Sequence, residues 1–371
     1  MLDRRLVKSF DFPLLGVTLA LLLLGLLVVY SATQARDLEL YGDRFYHLLR
    51  QALAAGIGLL ALAAVVNVDY GLFERLARPL YLCNLALLVL VLVVGKTVSH
   101  SQSWLHLGAL GSFQPSELAK ILVILTLAKQ LQEGEDRPNF TQFLLALVHV
   151  GIPMILILLQ PDLGTAMVFV GILFGMLFVY GIPNRYLLGA ILLAVVLSPF
   201  LYFFVLADYQ RARLMVLINP YSDPVKSGYN VIQSMIAIGS GRLFGKGLFS
   251  GTQTQLNFVP EHHTDFIFSV VGEEFGFLGG LFLLGAYFFI LWRGLQIIEL
   301  ARDEYGQLVA AGVVSMLLFH VLINVGMTLG IMPVTGIPLP LISYGGSSLI
   351  ANLVGIGLLL NIYLRRQKII F

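Results

Sequence analysis

The chain has 371 residues, 58% of them hydrophobic and 12% charged, with a formal net charge of +2 and a mean hydropathy of +0.88. Charge this sparse cannot cover the surface of a soluble domain, so the composition implies an all-α polytopic membrane protein. The weakly alternating segments of a β-barrel are missing, and no basic run with interleaved aromatics points to nucleic acid. The single cysteine, Cys83, lies in an apolar stretch. It excludes an intrachain disulfide and a thiolate metal cluster, and reads as a small buried hydrophobe.

Apolar runs fall near 13–33, 46–66, 79–95, 116–132, 140–159, 163–182, 186–207, 266–292, 307–328 and 345–364, which predicts about ten transmembrane helices. The first run lacks a small-residue cleavage site and is read as a retained span. Gly95 and Lys96 end the short third run. In the fourth, Glu117 and Lys120 sit three apart on one helix face and are placed to pair. Only Gln160, Pro161 and Asp162 separate the fifth and sixth runs, as a tight hairpin or a broken helix. The positive-inside rule assigns Arg4, Arg5, Lys8, Arg75, Arg78, Lys129, Arg137, Arg185, Arg293, Arg302, Arg365, Arg366 and Lys368 to the cytoplasm. Only Arg36, Arg44, Arg50 and Lys96 fall on short outer connections. Both termini are therefore expected to be cytoplasmic, and 208–264 to form a large extracytoplasmic loop. That loop carries Arg211, Arg213, Lys226, Arg242 and Lys246. No linker or internal repeat divides the chain, which reads as a single integral membrane domain, 1–371.

The longest polar stretch ends in VPEHHTDFIF, where Glu261, His262, His263, Thr264 and Asp265 immediately precede the eighth span. Asp265 has two readings. As a helix N-cap it would accept orphan N–H groups. As a carboxylate pulled down by the helix dipole and up by burial it would serve as a general base. Adjacent histidines rarely ligate one ion, so no metal site is assigned. Upstream, the glycine-rich stretch 239–247 with Arg242 and Lys246 reads either as an anion-binding nest or as a re-entrant surface loop. Within the spans, Glu273 and Glu274 point to different helix faces, whereas His320 and Asn324 share one. Such residues are costly in lipid and imply a polar interior. Residues 330–348 contain three prolines and are expected to re-enter the membrane or cap a cavity. Ser343 in that segment has no triad context.

The strings VPEHHTDFIFSVVGEEFGFLG and NVGMTLGIMPVTGIPLPLISYGGSSL, supported by WLHLGALGSFQPSELAKI and QPDLGTA, closely resemble the SEDS family (shape, elongation, division, sporulation). The resemblance spans essentially the whole chain and is nearer the elongation branch than the division branch. One departure is Ser103, where the family often has an arginine, which weakens any anion-binding role there. The resemblance implies a peptidoglycan glycosyltransferase that polymerises lipid II, an undecaprenyl-pyrophosphate-linked precursor, on the outer face of the bacterial cytoplasmic membrane. It carries the family's critical aspartate onto Asp265, as base for an inverting transfer. Arg211, Arg213, Arg242 and Lys246 become candidates for the pyrophosphate, with Lys120, Glu117, His263, Glu261 and Ser343 as further substrate-binding candidates. A divalent cation, Mg²⁺ or Mn²⁺, could bridge the pyrophosphate, although no dedicated ligand set is visible. The family's usual partner is a class B penicillin-binding protein transpeptidase. Two other classes share these features: a lipid flippase or transporter, and a scaffold for a transpeptidase in which Asp265 only caps a helix.

Overall fold

The computed structural model describes residues 10–98, 101–106, 112–134, 138–222 and 227–366. Arg4, Arg5, Lys8, Arg137, Lys226 and Lys368 lie outside the described residues, as does 107–111 of the tryptophan motif. The chain runs α1 (Phe12–Tyr41), α2 (Tyr46–Asn67), the short α3 (Gly71–Arg75), α4 (Ala77–Val94), strands β1 (Lys96–Val98), β2 (Ser101–His106) and β3 (Ser112–Phe113), then α5 (Pro115–Gln132). There follow α6 (Phe140–Leu159), α7 (Leu163–Tyr180), α8 (Asn184–Phe200), α9 (Asp208–Ile218), α10 (Ser227–Ser240), the short α11 (Thr252–Gln255), α12 (Ile267–Leu300), α13 (Glu304–Thr328) and α14 (Gly346–Leu364).

Among the described residues, nine helices are long and apolar enough to cross a membrane. They coincide with nine of the expected runs. The remaining run, the fourth, is α5, an 18-residue helix holding Glu117, Lys120 and Lys129, and it packs against α4, α6, α7, α13 and α14. The 160–162 connection is a tight hairpin. Asp162 caps α7 by accepting from the Thr165 amide (3.0 Å) and hydroxyl (2.8 Å), while α6 and α7 lie side by side. The strands form a small antiparallel sheet, β1-β2-β3, which hydropathy had not revealed. Cys83 is exposed on α4, not buried, because that helix turns much of its surface outward.

Cross-bundle hydrogen bonds sort the connections into two ends. At one end Tyr70 donates to Asp303 (2.6 Å), Lys129 pairs with Glu74 (2.9 Å) and Arg293 pairs with Asp11 (2.8 Å). The first described residues and Arg365 lie there too, since Arg365 donates to the Val66 carbonyl. At the other end, Gln51, Gln114, Asp162, His263 and Ser343 are mutually linked through the 337–347 region. Helices α13 and α14 form the centre, with 78% and 83% of their apolar windows buried. Helix α8 stands at the margin with 6%.

The expected loop 208–264 contains helices α9, α10 and α11, and α10 docks on α12 with Ser234 and Ala237 fully buried. Its glycine-rich end has a specific task. Helix α12 breaks at Gly276 (φ 68°, ψ −163°), which frees backbone groups on both sides. The Lys246 and Gly247 amides donate to the carbonyls of Glu273 (2.9 Å) and Glu274 (3.0 Å). The Phe277 and Leu278 amides donate to the carbonyls of Arg242 (2.8 Å) and Leu243 (3.1 Å). The stretch is thus a splint across a broken span, satisfying at membrane depth what lipid cannot. The amides of Gly241, Arg242, Gly245, Lys246 and Gly247 are occupied by backbone carbonyls.

A side chain at position 276 would meet the Gly245 amide nitrogen at 2.3 Å while holding positive φ. Gly276→Ala is therefore expected to lower stability by about 1–3 kcal/mol or more. Thermal unfolding of the detergent-purified protein should show a clear drop, and an unchanged transition would mean the splint tolerates displacement.

Candidate functional site

The turn before α12 is built on Glu261. This residue adopts φ 51°, and its carbonyl accepts from the amides of Thr264 (3.2 Å), Asp265 (3.1 Å) and Phe266 (3.2 Å). Phe266 is the N-cap of α12, and no side chain caps that helix. Thr264 donates back to the Glu261 carbonyl at 3.2 Å. The helix-cap reading of Asp265 therefore does not apply. Its carboxylate makes no hydrogen bond or ion pair among the described residues.

Three successive carbonyls of this turn are held from α13 and the segment after it. The Tyr344 amide donates to His263 O (2.9 Å), Ser343 Oγ to Thr264 O (2.6 Å), and Asn324 Nδ2 to Asp265 O (2.8 Å). Asn324 Nδ2 also donates to Ile337 O (2.7 Å), and Ser343 Oγ accepts from the Leu339 amide (2.8 Å). From α2, Gln51 donates to Ser343 O (2.9 Å) and accepts from the Gly345 amide (3.2 Å). His262 lies between the carbonyls of Val259 (2.7 Å) and Ala32 (2.8 Å), tying the turn to α1. As expected of 330–348, the segment re-enters the bundle: Tyr287, far along α12, donates to Pro340 O at 2.5 Å.

Burial pushes the Asp265 carboxyl up to about 7, the neighbouring Glu261 carboxylate adds to this, and Arg213 pulls it down. The dipole of α12 loses that contest. Gly336 (φ 74°) lies so close that a side chain there would sit 3.2 Å from Asp265 Oδ2. His263 is buried, with Nδ1 unpartnered and its ring beside His47 and Tyr344. Burial lowers it to about 3, so it stays neutral and does not offset the aspartate. His47 in turn pairs with the fully buried Asp37.

Next to the turn, a crevice of about 530 Å³ opens between α7 and α8. Leu163, Met167, Pro199, Tyr202 and Leu214 give it apolar walls, while Gln210, Arg213 and Thr335 supply polar groups. Thr335 is the chain neighbour of Gly336, which places this polar part beside Asp265.

The remaining candidates divide. Arg213 joins the site. Arg211 donates to Phe203 O (3.0 Å) and faces Asp208 (3.6 Å). Arg242 is exposed on the splint, and Lys246 pairs with Glu273 (2.7 Å). Glu117 and Lys120 pair as expected (2.9 Å), and Lys120 also meets His320 Nε2 (2.8 Å), deep among the helices. Glu274 accepts from Ser31 (2.6 Å), on a different side from Glu273. Asn324, Gln51 and Gly336 were not singled out from sequence as site residues. The readable signal was a carboxamide inside a span, which lipid penalises unless it has work to do. Among the described residues no three His, Cys, Asp or Glu side chains converge as metal ligands.

A profile for cell cycle proteins that unites FtsW, RodA and SpoVE matches residues 13–368. The chain belongs to this family. It is similar to the peptidoglycan glycosyltransferase MrdB of Escherichia coli K12, with 40% identity over 97% of this chain and 95% of that protein. A solved chain from a peptidoglycan synthase complex that coordinates polymerization and crosslinking shares 36% identity, covers 97% of this chain and 99% of its own, and gives a TM-score of 0.82. The crystal structure of Thermus thermophilus rod shape determining protein RodA shares 34% identity over 97% and 98%, with a TM-score of 0.72. This FtsW/RodA/SpoVE chain is thus a RodA-like bacterial multi-pass membrane protein.

Two outcomes follow. Asn324→Ala strands two buried carbonyls and should cost about 1–3 kcal/mol, read as a lower unfolding temperature. Asp265→Asn should do the reverse, with a definite pH course. The folded carboxyl is raised from 3.8 to about 7, so the wild type is destabilised as pH climbs through that window. The variant should match wild type near the bottom of the window, gain up to about 7 and keep a constant advantage above it. A pH-independent difference would contradict the assignment.

Proposed function

We propose that this chain polymerises lipid II into glycan strands by inverting transfer, with Asp265 as the general base. It is a peptidoglycan glycosyltransferase of the elongation type, and its role is in rod shape. The observation that carries the reading is the Asp265 carboxylate: unpaired among the described residues, partly accessible, raised to about 7, and fixed on a turn whose Glu261, His263, Thr264 and Asp265 carbonyls are engaged. A base with that value is half ionised near neutral pH, where proton acceptance is efficient.

In the step proposed, the 4-hydroxyl oxygen of the acceptor GlcNAc attacks the anomeric carbon of the donor MurNAc. The bond from that carbon to the pyrophosphate oxygen breaks, and the lipid pyrophosphate leaves with the electron pair. Asp265 takes the hydroxyl proton. Arg213, beside both Asp265 and the crevice, is suited to meet the developing negative charge. The apolar walls between α7 and α8 suit a polyprenyl tail entering from the bilayer. The end of the bundle carrying Asp265 would face outward, with both termini cytoplasmic and 208–264 extracytoplasmic, as the distribution of lysine and arginine favours. A class B penicillin-binding protein is the proposed partner, in keeping with the crosslinking complex that supplies a structural neighbour.

The test uses purified protein, alone and with its transpeptidase partner, and labelled lipid II. Asp265→Asn should lower polymer formation by about 10²–10⁴-fold while the protein stays folded. Undiminished polymer from that variant would remove Asp265 from the chemistry. Lipid movement across vesicles with no polymer from wild type would favour a flippase.

A further inference from the structure

A second cavity, of about 340 Å³, lies at the same end of the bundle and shares no lining residue with the apolar crevice. Its size falls in the roughly 300–1,000 Å³ range of ligand pockets. The end of α1 supplies Arg36, Glu39 and Leu40; the turn before α12 supplies Asn257, Pro260 and Glu261. Among the described residues, the side chains of Arg36 and Glu39 take part in no hydrogen bond or ion pair. Both protein walls pack on His262, whose ring lies between Ala32 O of α1 and Val259 O of the turn and donates to one of them. The turn wall is also strained, with Asn257 at φ 56° and Glu261 at φ 51°. Such backbone outliers cluster at ligand clamps.

The charge pattern selects the ligand. One guanidinium faces two carboxylates, so a pyrophosphate would meet net repulsion here. Donors and acceptors set around an apolar floor of Leu40 and Pro260 suit a neutral, polyhydroxylated ring bearing amide substituents. Proximity to the chemistry comes through Glu261. Its carboxylate lines the pocket and lies 3.4 Å from Thr264 Oγ1, while its carbonyl accepts from the Asp265 amide.

We propose that this pocket is a subsite for an amino-sugar unit of the growing glycan strand, held by Arg36, Glu39 and Asn257 next to the unit that reacts at Asp265. The assignment rests on the glycosyltransferase reading above and adds to it a place where the strand is gripped between successive transfers. Arg36 and Glu39 share one face of the last turns of α1, three residues apart, and present a donor fork beside an acceptor.

The probe is a soluble GlcNAc–MurNAc tetrasaccharide added to the full-length protein, with binding read by calorimetry and product length read on gels from labelled lipid II. Arg36→Ala should weaken tetrasaccharide binding about tenfold, the worth of one charge-assisted hydrogen bond, and shorten the glycan products. Glu39→Gln should act in the same direction, and Arg36→Lys should restore part of the affinity. Because neither side chain makes a hydrogen bond or ion pair among the described residues, thermal unfolding should stay near the wild-type value, which separates loss of grip from loss of fold. Binding and product length unchanged in both Arg36→Ala and Glu39→Gln, with wild type still polymerising, would overturn the subsite alone. Absence of polymer from wild type would overturn the glycosyltransferase reading and the subsite with it.

Discussion

Everything at the Asp265 end depends on how three adjacent carbonyls, those of His263, Thr264 and Asp265, find donors where the backbone is not helical. Irregular backbone at a membrane boundary is stable only if protein groups replace the missing water. The donors come from Asn324 within α13 and from Ser343 and Tyr344 beyond it. One carboxylate is thereby aimed by elements that are far from it in sequence. Its own oxygens have no partner among the described residues, which is why burial can raise it to about 7.

The same constraint recurs at the break in α12. There the freed amides and carbonyls around Gly276 are taken up by the 242–247 stretch, which spends its own backbone groups doing so. Helices α13 and α14 can then be buried and rigid while α8 stays peripheral, leaving the crevice beside Arg213 open between α7 and α8. A held carboxylate next to a lateral, apolar-walled opening suits a reaction whose substrate arrives through lipid. Holding Asp265 on well-packed elements preserves its geometry.

Much of this was readable from the sequence, for physical reasons that differ by residue. Apolar runs located the spans because lipid imposes a length, and the Glu117–Lys120 spacing gave a pair because helix geometry fixes who meets whom. Asp265 stood out as a carboxylate at the mouth of a span, and the resemblance of its motif to a known family narrowed its role. Sequence could not separate cap from base, since that rests on whether Phe266 or Asp265 begins α12. Nor could it see that Lys246 would be claimed by Glu273, or that Asn324 would reach the Asp265 carbonyl, because both depend on contacts across the fold. The glycine-rich stretch shows the limit most plainly: its composition fits an anion nest and a backbone splint equally well. Arg213 and Arg211, two positions apart, ended with different neighbours for the same reason.

The central claim is that a single carboxylate, raised by burial and by Glu261, sets the reaction. Its most direct test is the pH dependence of kcat/KM for lipid II polymerisation in wild type and Glu261→Gln. Since the ionised form accepts the proton, wild type should lose about tenfold per pH unit below a midpoint near 7, and the Glu261→Gln midpoint should move to lower pH. A flat profile through that range, or a midpoint that ignores the loss of Glu261, would contradict the account.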